Sequence, residues 1–341
     1  VKKTLSSDDL LLVPQYSDIE SRKEVDISVN LGNSRLLSSP IVAAPMDTIC
    51  GKEMSCTLAE MGMLPIIHRY NSIEEQCEIA VAAMERNCNN SPIGAAVGAT
   101  GDYLDRATQL ASYGVEVICI DVAHGHHIMV ERAIKTIKDK LDKVHIMAGN
   151  IATLEAFNDL SDWGADSIRC GIGGGSICST RLQTGHGVPT IQSVLDVSQT
   201  DRKSLIIADG GMKNSGDIVK AIAAGADMVM VGSLISGTTE APGDLIVDKH
   251  GRKRKMYRGM ASKGAQRDWR GKVSSIEGVT TTVPYKGEVK NVIGELHVGI
   301  RSGLSYSGSR SIQELQNRAA FVQQTVSGQA ESSTHIVGRW S

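Results

Sequence analysis

Phenylalanine is almost missing from this chain, with two residues in 341. The core it builds must therefore be mainly aliphatic. Net charge is nearly absent as well. Lys and Arg number 36 against 38 Asp and Glu, a formal −2 at pH 7. Bulk charge thus gives no attraction to nucleic acid or to an anionic membrane. No run reaches the roughly 18 apolar residues that a membrane span requires. The start, Val1-Lys2-Lys3-Thr4, leads into acidic residues with no apolar signal region. There is no CxxC pair and no His/Cys cluster at zinc spacing. The seven cysteines are odd in number and unpatterned, and Cys119 and Cys170 lie inside apolar runs. That predicts reduced thiols in a cytoplasmic protein, not a disulfide framework.

What remains is an ordinary soluble composition, 41% hydrophobic and 22% charged. The length suits one large α/β domain or two smaller ones. Residues 1–40 read as a lead-in, with Ser7–Pro14 a capped apolar turn. Eight short apolar runs follow: Ile41–Pro45, Leu64–His68, Ile93–Gly98, Val117–Asp121, His145–Asn150, Ser167–Gly171, Leu205–Gly210 and Met228–Gly232. Runs of this length without polar alternation fit strands buried on both faces, as in a parallel sheet. Helix-periodic segments alternate with them, at Ser72–Met84, Tyr103–Tyr113, Ile128–Leu141, Thr153–Trp163 and Ser215–Ala224. Three of these end in the same way, at Gly114, Gly164 and Gly225, each followed by an apolar residue and an acid. The repeat and the count predict an α/β fold of the (β/α)8 TIM-barrel type as one domain over 41–325. An open doubly wound sheet is the alternative. Asp248–Lys255 reads as a solvated basic hairpin crest. Residues 261–287 read as a mobile, weakly periodic flap, Ser311–Gln324 as a final helix, and 326–341 as a disordered tail.

In such a barrel, chemistry collects where strands end and loops begin. The richest of these loops is Gly171–Gly187, which packs glycines around Ser176 and Cys178. Glycine lets the backbone turn sharply and present N–H groups to an anion. A thiol beside such a nest suits covalent chemistry on a phosphorylated small molecule. Unassisted, that thiol has a pKa of roughly 8.5 and needs help to ionise at neutral pH. The plainer reading of Cys178 is a small residue filling a turn. Asp209-Gly210-Gly211 and Gly232-Ser233 end the last two strands, where barrels commonly bind phosphate. Asp209 can accept from a ribose diol, or merely cap its loop. His124, His126 and His127 have weak metal spacing and no supporting carboxylates; lining of a cofactor pocket suits them better.

Several stretches together resemble the IMP dehydrogenase/GMP reductase family. They are the Asp8–Pro14 lead, Met46-Asp47-Thr48, Ile67-His68-Arg69, Met147–Asn150, the Cys178 loop, Asp209–Gly211, Tyr257-Arg258-Gly259-Met260 and Val283–Gly287. The resemblance runs in order over about residues 5–320. One departure stands out: Gly174 replaces the proline that the family's loop usually carries. The resemblance implies a barrel assembled as a homotetramer, with a purine nucleotide held covalently on Cys178. It implies a Thr180–Glu277 pair as the proton relay. Ser176, Gly210, Gly211, Gly232 and Ser233 would hold the 5′-phosphate end and Asp209 the ribose, with Tyr257, Gly259, Met260 and Gly278 completing the substrate site. Arg69, Asp121, Ala123, Gly125 and Asn150 would meet the nicotinamide cofactor. Carbonyls of Gly173, Gly175 and Cys178 would ligate a monovalent cation such as potassium.

The same resemblance bears on which activity to expect. Most family dehydrogenases insert a pair of CBS modules after the second strand's helix; here Glu74–Arg86 runs directly into the third strand. Dehydrogenases hydrolyse their adduct with an Arg-Tyr pair on a long flap; here the flap carries Arg267-Asp268-Trp269-Arg270. Both features imply a GMP reductase using NADPH. Against them, His68–Glu74 and Asp121–His126 look partly dehydrogenase-like, which keeps an NAD-dependent IMP dehydrogenase lacking CBS modules as the alternative. A silent nucleotide-binding barrel is a third option. It would be marked by loss of the loop thiol or the flap glutamate, and both are present.

Overall fold

The apolar runs become strands because each is short, β-branched or small, and covered on both faces. They are β1 (Ile41–Ala43), β2 (Ile66–Ile67), β3 (Gly94–Val97), β4 (Val117–Asp121), β5 (His145–Ile151), β6 (Ser167–Cys170), β7 (Leu205–Asp209) and β8 (Met228–Val231). The computed structural model describes residues 1–332 apart from Ser34, Lys272, Ser274, Ser275 and the Arg270 side chain. Among the described residues all eight strands pair in parallel, in the order β1-β8-β7-β6-β5-β4-β3-β2. A parallel bridge between Val42 and Leu64 joins the two ends of that sheet. The barrel is therefore closed, and the open-sheet alternative falls.

The helices follow their strands: α1 (Lys52–Glu60), α2 (Ile73–Glu85), α3 (Tyr103–Ser112), α4 (Ile128–Lys140), α5 (Leu154–Trp163), α6 (Thr190–Val197), α7 (Ser215–Ala223) and α8 (Val289–Tyr306). Their starts are written locally. Ser72, Thr153 and Asn214 each accept a backbone N–H from the first turn. The three glycines of the repeat, Gly114, Gly164 and Gly225, all have φ between +99° and +118°, the left-handed geometry that ends a helix without a Cβ penalty. Only residues 86–93 separate α2 from β3, so this is a single domain with no CBS insertion.

The structure corrects the chain's two ends and its flap. Leu10–Leu12, expected as a turn, is a strand paired antiparallel with Phe321–Gln323. The final helix is accordingly shorter than expected, Ile312–Arg318, because the residues after it are recruited into that pair. Val326–Glu331, within the expected tail, is helical; 333–341 lie outside the described residues. The basic hairpin is present as β9 (Ile246–Val247) and β10 (Lys253–Arg258), and β11 (Thr280–Pro284) adds a third antiparallel strand. The flap thus contains β11 and a helix, Lys263–Arg270, capped by Ser262. Its weak periodicity reflects a short amphipathic turn flanked by polar sequence.

Candidate active site

The glycine loop begins where β6 ends, and its shape is forced by contact with the neighbouring strand. Gly171 has φ +147°, and a Cβ there would collide with the Asp209 carbonyl. At Gly174 a Cβ would sit 2.5 Å from Thr190 Oγ1. The residue that replaces the family's proline is therefore packed against α6, which leaves no room for a ring without moving Thr190. The loop turns back on itself through a Cys178 N–H bond to Gly175 O at 3.1 Å.

The flap then closes on this loop. Cys178 and Gly278 form an antiparallel bridge. Ser179 N donates to Glu277 O at 3.0 Å, and Val279 N donates to Ile177 O at 3.0 Å. This pairing brings side chains 97 residues apart into one line. The Cys178 thiol donates to Thr180 Oγ1 at 3.2 Å, and Thr180 Oγ1 donates to Glu277 Oε2 at 2.8 Å. Cys178 is half-buried, whereas burial pushes the thiols of Cys50 and Cys119 up to about 12 and raises those of Cys56, Cys77 and Cys170. Those five are buried; Cys178 instead meets a hydroxyl that is itself bonded to a carboxylate.

Beneath the thiol lies a residue that the sequence reading passed over. Arg169, inside β6, bonds Asp121 Oδ1 through Nη1 at 2.6 Å. Its Nη2 and Nε bond Asp209 Oδ2 at 2.9 and 3.1 Å. Register explains the reach. Asp121 pairs with Gly149, and Gly149 pairs with Arg169. Because the middle position has no side chain, the guanidinium can cross β5. Burial alone would pull its pKa down, but the two carboxylates and the Cys119 sulfur hold it well above the usual value. The signal for it was available: an arginine between Ile168 and Cys170 in a buried strand needs partners.

A cavity of about 400 Å³ opens above this triad. It is lined by Arg69, Asp121, Ala123, Asn150, Gly173, Gly175, Cys178, Thr180, Asp209, Gly210, Met260 and Glu277 from the expected set, together with Gln266 from the flap helix. A smaller cavity of about 70 Å³ adjoins it through Gly175, Asp209 and Gly210. That one is walled by Ser176, Gly211, Gly232, Ser233 and Tyr257. Burial raises the Tyr257 phenol, and its hydrogen bond to Ser176 opposes the shift.

Three expected residues do not line either cavity. Gly125 is tucked against β5, its N–H bonded to Asn150 O at 2.7 Å. Gly259 and Gly278 face one another, each leaving room for the other's backbone. The histidine expectation is corrected too. His126 bonds Asp159 at 2.7 Å and lies over Trp163, while His127 caps α4. None of the three lines the large cavity. Among the described residues no group of three or more His, Cys, Asp or Glu could hold a metal.

Two buried atoms at the large cavity lack hydrogen-bond partners among the described residues: Asn150 Oδ1 and Arg69 Nε. One is an acceptor and the other a donor, and Arg69 Nε lies 3.9 Å from Asp121 Oδ2. Asn150 Nδ2 is already committed to Gly171 O and Asp209 Oδ2, which keeps its oxygen as the open end.

A closed parallel barrel whose mouth gathers a glycine-walled recess, a thiol and a flap carboxylate has the form of an enzyme site. Residues 4–335 match the model of the IMP dehydrogenase/GMP reductase domain, and the chain belongs to that family. It is 33% identical to a GMP reductase from Leishmania major, covering 98% of this chain and 97% of that one. It is 36% identical to an inosine-5′-monophosphate dehydrogenase from Cryptosporidium parvum, covering 99% and 96%. The inosine-5′-monophosphate dehydrogenase of Nitrosopumilus maritimus (strain SCM1) is 31% identical, covering 98% and 99%. That alignment runs over 471 positions against 341 residues here, the excess being insertion in the relative. Among solved structures, a cysteine-to-alanine variant of GMP reductase from Trypanosoma brucei in complex with guanosine 5′-monophosphate superimposes with a TM-score of 0.92. It is 32% identical, and each chain covers 98% of the other. The protein is thus an oxidoreductase of purine metabolism, from a family that acts on purine nucleotides with nicotinamide cofactors.

Proposed function

We propose that this enzyme is a GMP reductase, converting GMP, NADPH and two protons to IMP, NADP⁺ and ammonium. The observation that carries this reading is the flap, which brings Glu277 into line with Thr180 and Cys178 but offers no Arg-Tyr pair to activate water. The Cys178 thiol passes its proton through Thr180 to Glu277 as its sulfur adds to purine C2, which is electron-poor and bears the exocyclic amine. That amine leaves as ammonia after taking a proton from Thr180, which Glu277 resupplies. The result is a thioimidate between Cys178 and C2. A bound nicotinamide cofactor would supply hydride for that carbon; Cys178 is then released as the C–S bond breaks, regaining its proton as IMP departs.

The surrounding residues divide the substrate. Ser176, Gly210, Gly211, Gly232, Ser233 and Tyr257 enclose a small polar end suited to the 5′-phosphate. Asp209, oriented by Arg169, takes the ribose, and Met260 meets the base, with Gly259 and Gly278 packed on each other behind it. Arg69, Asp121, Ala123 and Asn150 border the nicotinamide, and Gly125 backs Asn150. Carbonyl oxygens at Gly173, Gly175 and Cys178 are hard donors suited to potassium. Reduced thiols throughout support a cytoplasmic setting, and a homotetramer is the expected assembly.

What favours the reductase is the flap. Its Asp268 and Trp269 are engaged with Arg258 and Asp47, and it offers no Arg-Tyr pair to activate water. One observation favours IMP dehydrogenase with NAD instead: the loop after β4 reads His124-Gly125. A substrate-resolved assay decides. The purified protein is mixed with GMP and NADPH, then with IMP and NAD⁺, and the reduced cofactor is followed by absorbance. Loss of NADPH with ammonia release is the expected result; formation of NADH and XMP would sink the reductase reading.

A further inference from the structure

The flap helix is pinned to the barrel by one carboxylate that lines neither cavity of the active site. Asp47 follows β1, and its side chain is only 5% exposed. Its Oδ2 accepts from Arg258 Nη2 at 2.6 Å, from Arg258 Nε at 3.0 Å and from Trp269 Nε1 at 2.9 Å. Arg258 ends β10 and also donates from Nη1 to Asp268 at 2.5 Å. The indole lies 6.5 Å from the His68 ring, tilted by 48°. Trp269 is 44% exposed overall, yet its indole N–H is committed to the buried Asp47 carboxylate.

The other end of the same helix is tied to the relay. Ser262 caps the helix by accepting from Ala265 N at 3.3 Å and bridges to Gly278. Glu277 N donates to Ala261 O at 3.2 Å. The last turn of the helix is therefore fixed to the barrel at Asp47, and its first turn is fixed to the backbone of Glu277. A helix of eight residues is stiff over that distance.

We propose that Asp47 and Trp269 are positioning residues: together they hold the flap helix so that Glu277 stays within reach of Thr180 and Cys178. The proposal rests on taking Cys178, Thr180 and Glu277 as the working relay. Among the described residues no hydrogen bond or ion pair joins Asp47 or Trp269 to Cys178, Thr180 or Glu277. Arg258 serves the same latch, and its hydrogen bond to Asp47 is what raises its pKa despite partial burial.

Two variants separate the latch from general stability. Trp269→Phe keeps a ring against His68 and deletes only the indole N–H. Asp47→Asn keeps the shape and removes the charge. The first measurement needs no assumption about the reaction: the rate at which iodoacetamide modifies Cys178 in the unliganded protein, read by peptide mass spectrometry. Because Gly278 pairs with Cys178, release of the flap exposes the sulfur. The expected result is modification about tenfold faster in both variants, with the melting temperature of Trp269→Phe unchanged within about 2 °C. The second measurement is steady-state turnover, in whichever direction the wild-type enzyme runs. There kcat is expected to fall about tenfold or more while nucleotide KM moves less than about twofold. Wild-type modification rates in both folded variants overturn the latch. A wild-type enzyme that turns over neither substrate pair overturns the functional reading instead, and the modification rates still decide the latch.

Discussion

Arg169 and Arg258 each sit between two aspartates, and the two clusters could hardly be placed more differently. Arg169 joins Asp121 to Asp209 at the barrel mouth, with side chains 7%, 17% and 15% exposed. Arg258 joins Asp47 to Asp268 at the flap, where Asp268 is 54% exposed. The first triad is drawn entirely from β4, β6 and β7, whose register is set by the sheet ladder. The second spans two bodies, the barrel loop after β1 and the flap. The same chemistry therefore serves two ends. In the barrel it is scaffold, since a buried guanidinium with two carboxylates cannot leave without stranding charge. At the flap it is a fastener, since one of its partners is already in water.

Removing Arg169 tests the first half of this contrast and carries the largest expected effect. Arg169→Met leaves Asp121 and Asp209 facing one another, and should cost about 3–5 kcal/mol of stability in chemical denaturation, with loss of turnover. A variant near wild-type stability would show that the triad is not the scaffold described. Next comes Glu277→Gln, which keeps flap geometry but removes the relay's carboxylate. Turnover should fall by a factor of about 10²–10⁴ with the melting temperature unchanged; retained turnover would remove Glu277 from the proton path. Arg258→Ala should cost about 3 kcal/mol of stability, because it leaves Asp47, 5% exposed, with the Trp269 N–H but no cation. The smallest effect belongs to Asp268→Asn, expected below about 0.5 kcal/mol in the same denaturation assay.

The thiols and the buried histidines report on the same contrast as pH changes. Cys119 lies 3.5 Å from Arg169 and its pKa is pushed up to about 12 by burial. It should resist iodoacetamide at pH 8 until the barrel unfolds, while Cys178 reacts in the folded state. Cys119 labelling in native buffer would contradict a rigid barrel mouth. His145, at the foot of β5, bonds Ser167 at 2.8 Å and is held down to about 4 by burial. Its folded pKa lies below its unfolded value of about 6.5, so the unfolded chain binds the proton first. Stability from this group is full above that unfolded value and is lost progressively as pH falls toward 4. A pH series of thermal melts should show this decline, and His145→Gln should flatten it.

How much of this could be read from the chain depends on how far apart the interacting residues lie. The eight strands were legible as runs because a strand buried on both faces carries no polar alternation. The helices of the repeat were legible through their glycine ends. α8 was not, although it is the longest helix described at 18 residues. Its glycines at 294, 299 and 303 blur the helical signal, and two of them are there for packing. A Cβ at Gly299 would collide with Ser215, and one at Gly303 would lie 2.6 Å from Val219. Close approach to α7 was chosen over intrinsic helix propensity.

The site divides along the same line. Sequence alone determined the alternation of strands and helices, and the glycine loop that carries the Cys178 thiol. Those are local properties, written in spacing and in residues within a few positions of each other. The resemblance named Thr180 and Glu277, but their meeting across 97 residues depends on the flap strand pairing with the Cys178 loop. Only the tertiary structure decided that Arg169 bridges two strand-end carboxylates across Gly149, and that Trp269 is fastened to Asp47. Such contacts arise from barrel closure and strand register, which bring distant side chains into hydrogen-bond range and have no counterpart in a local pattern of residues.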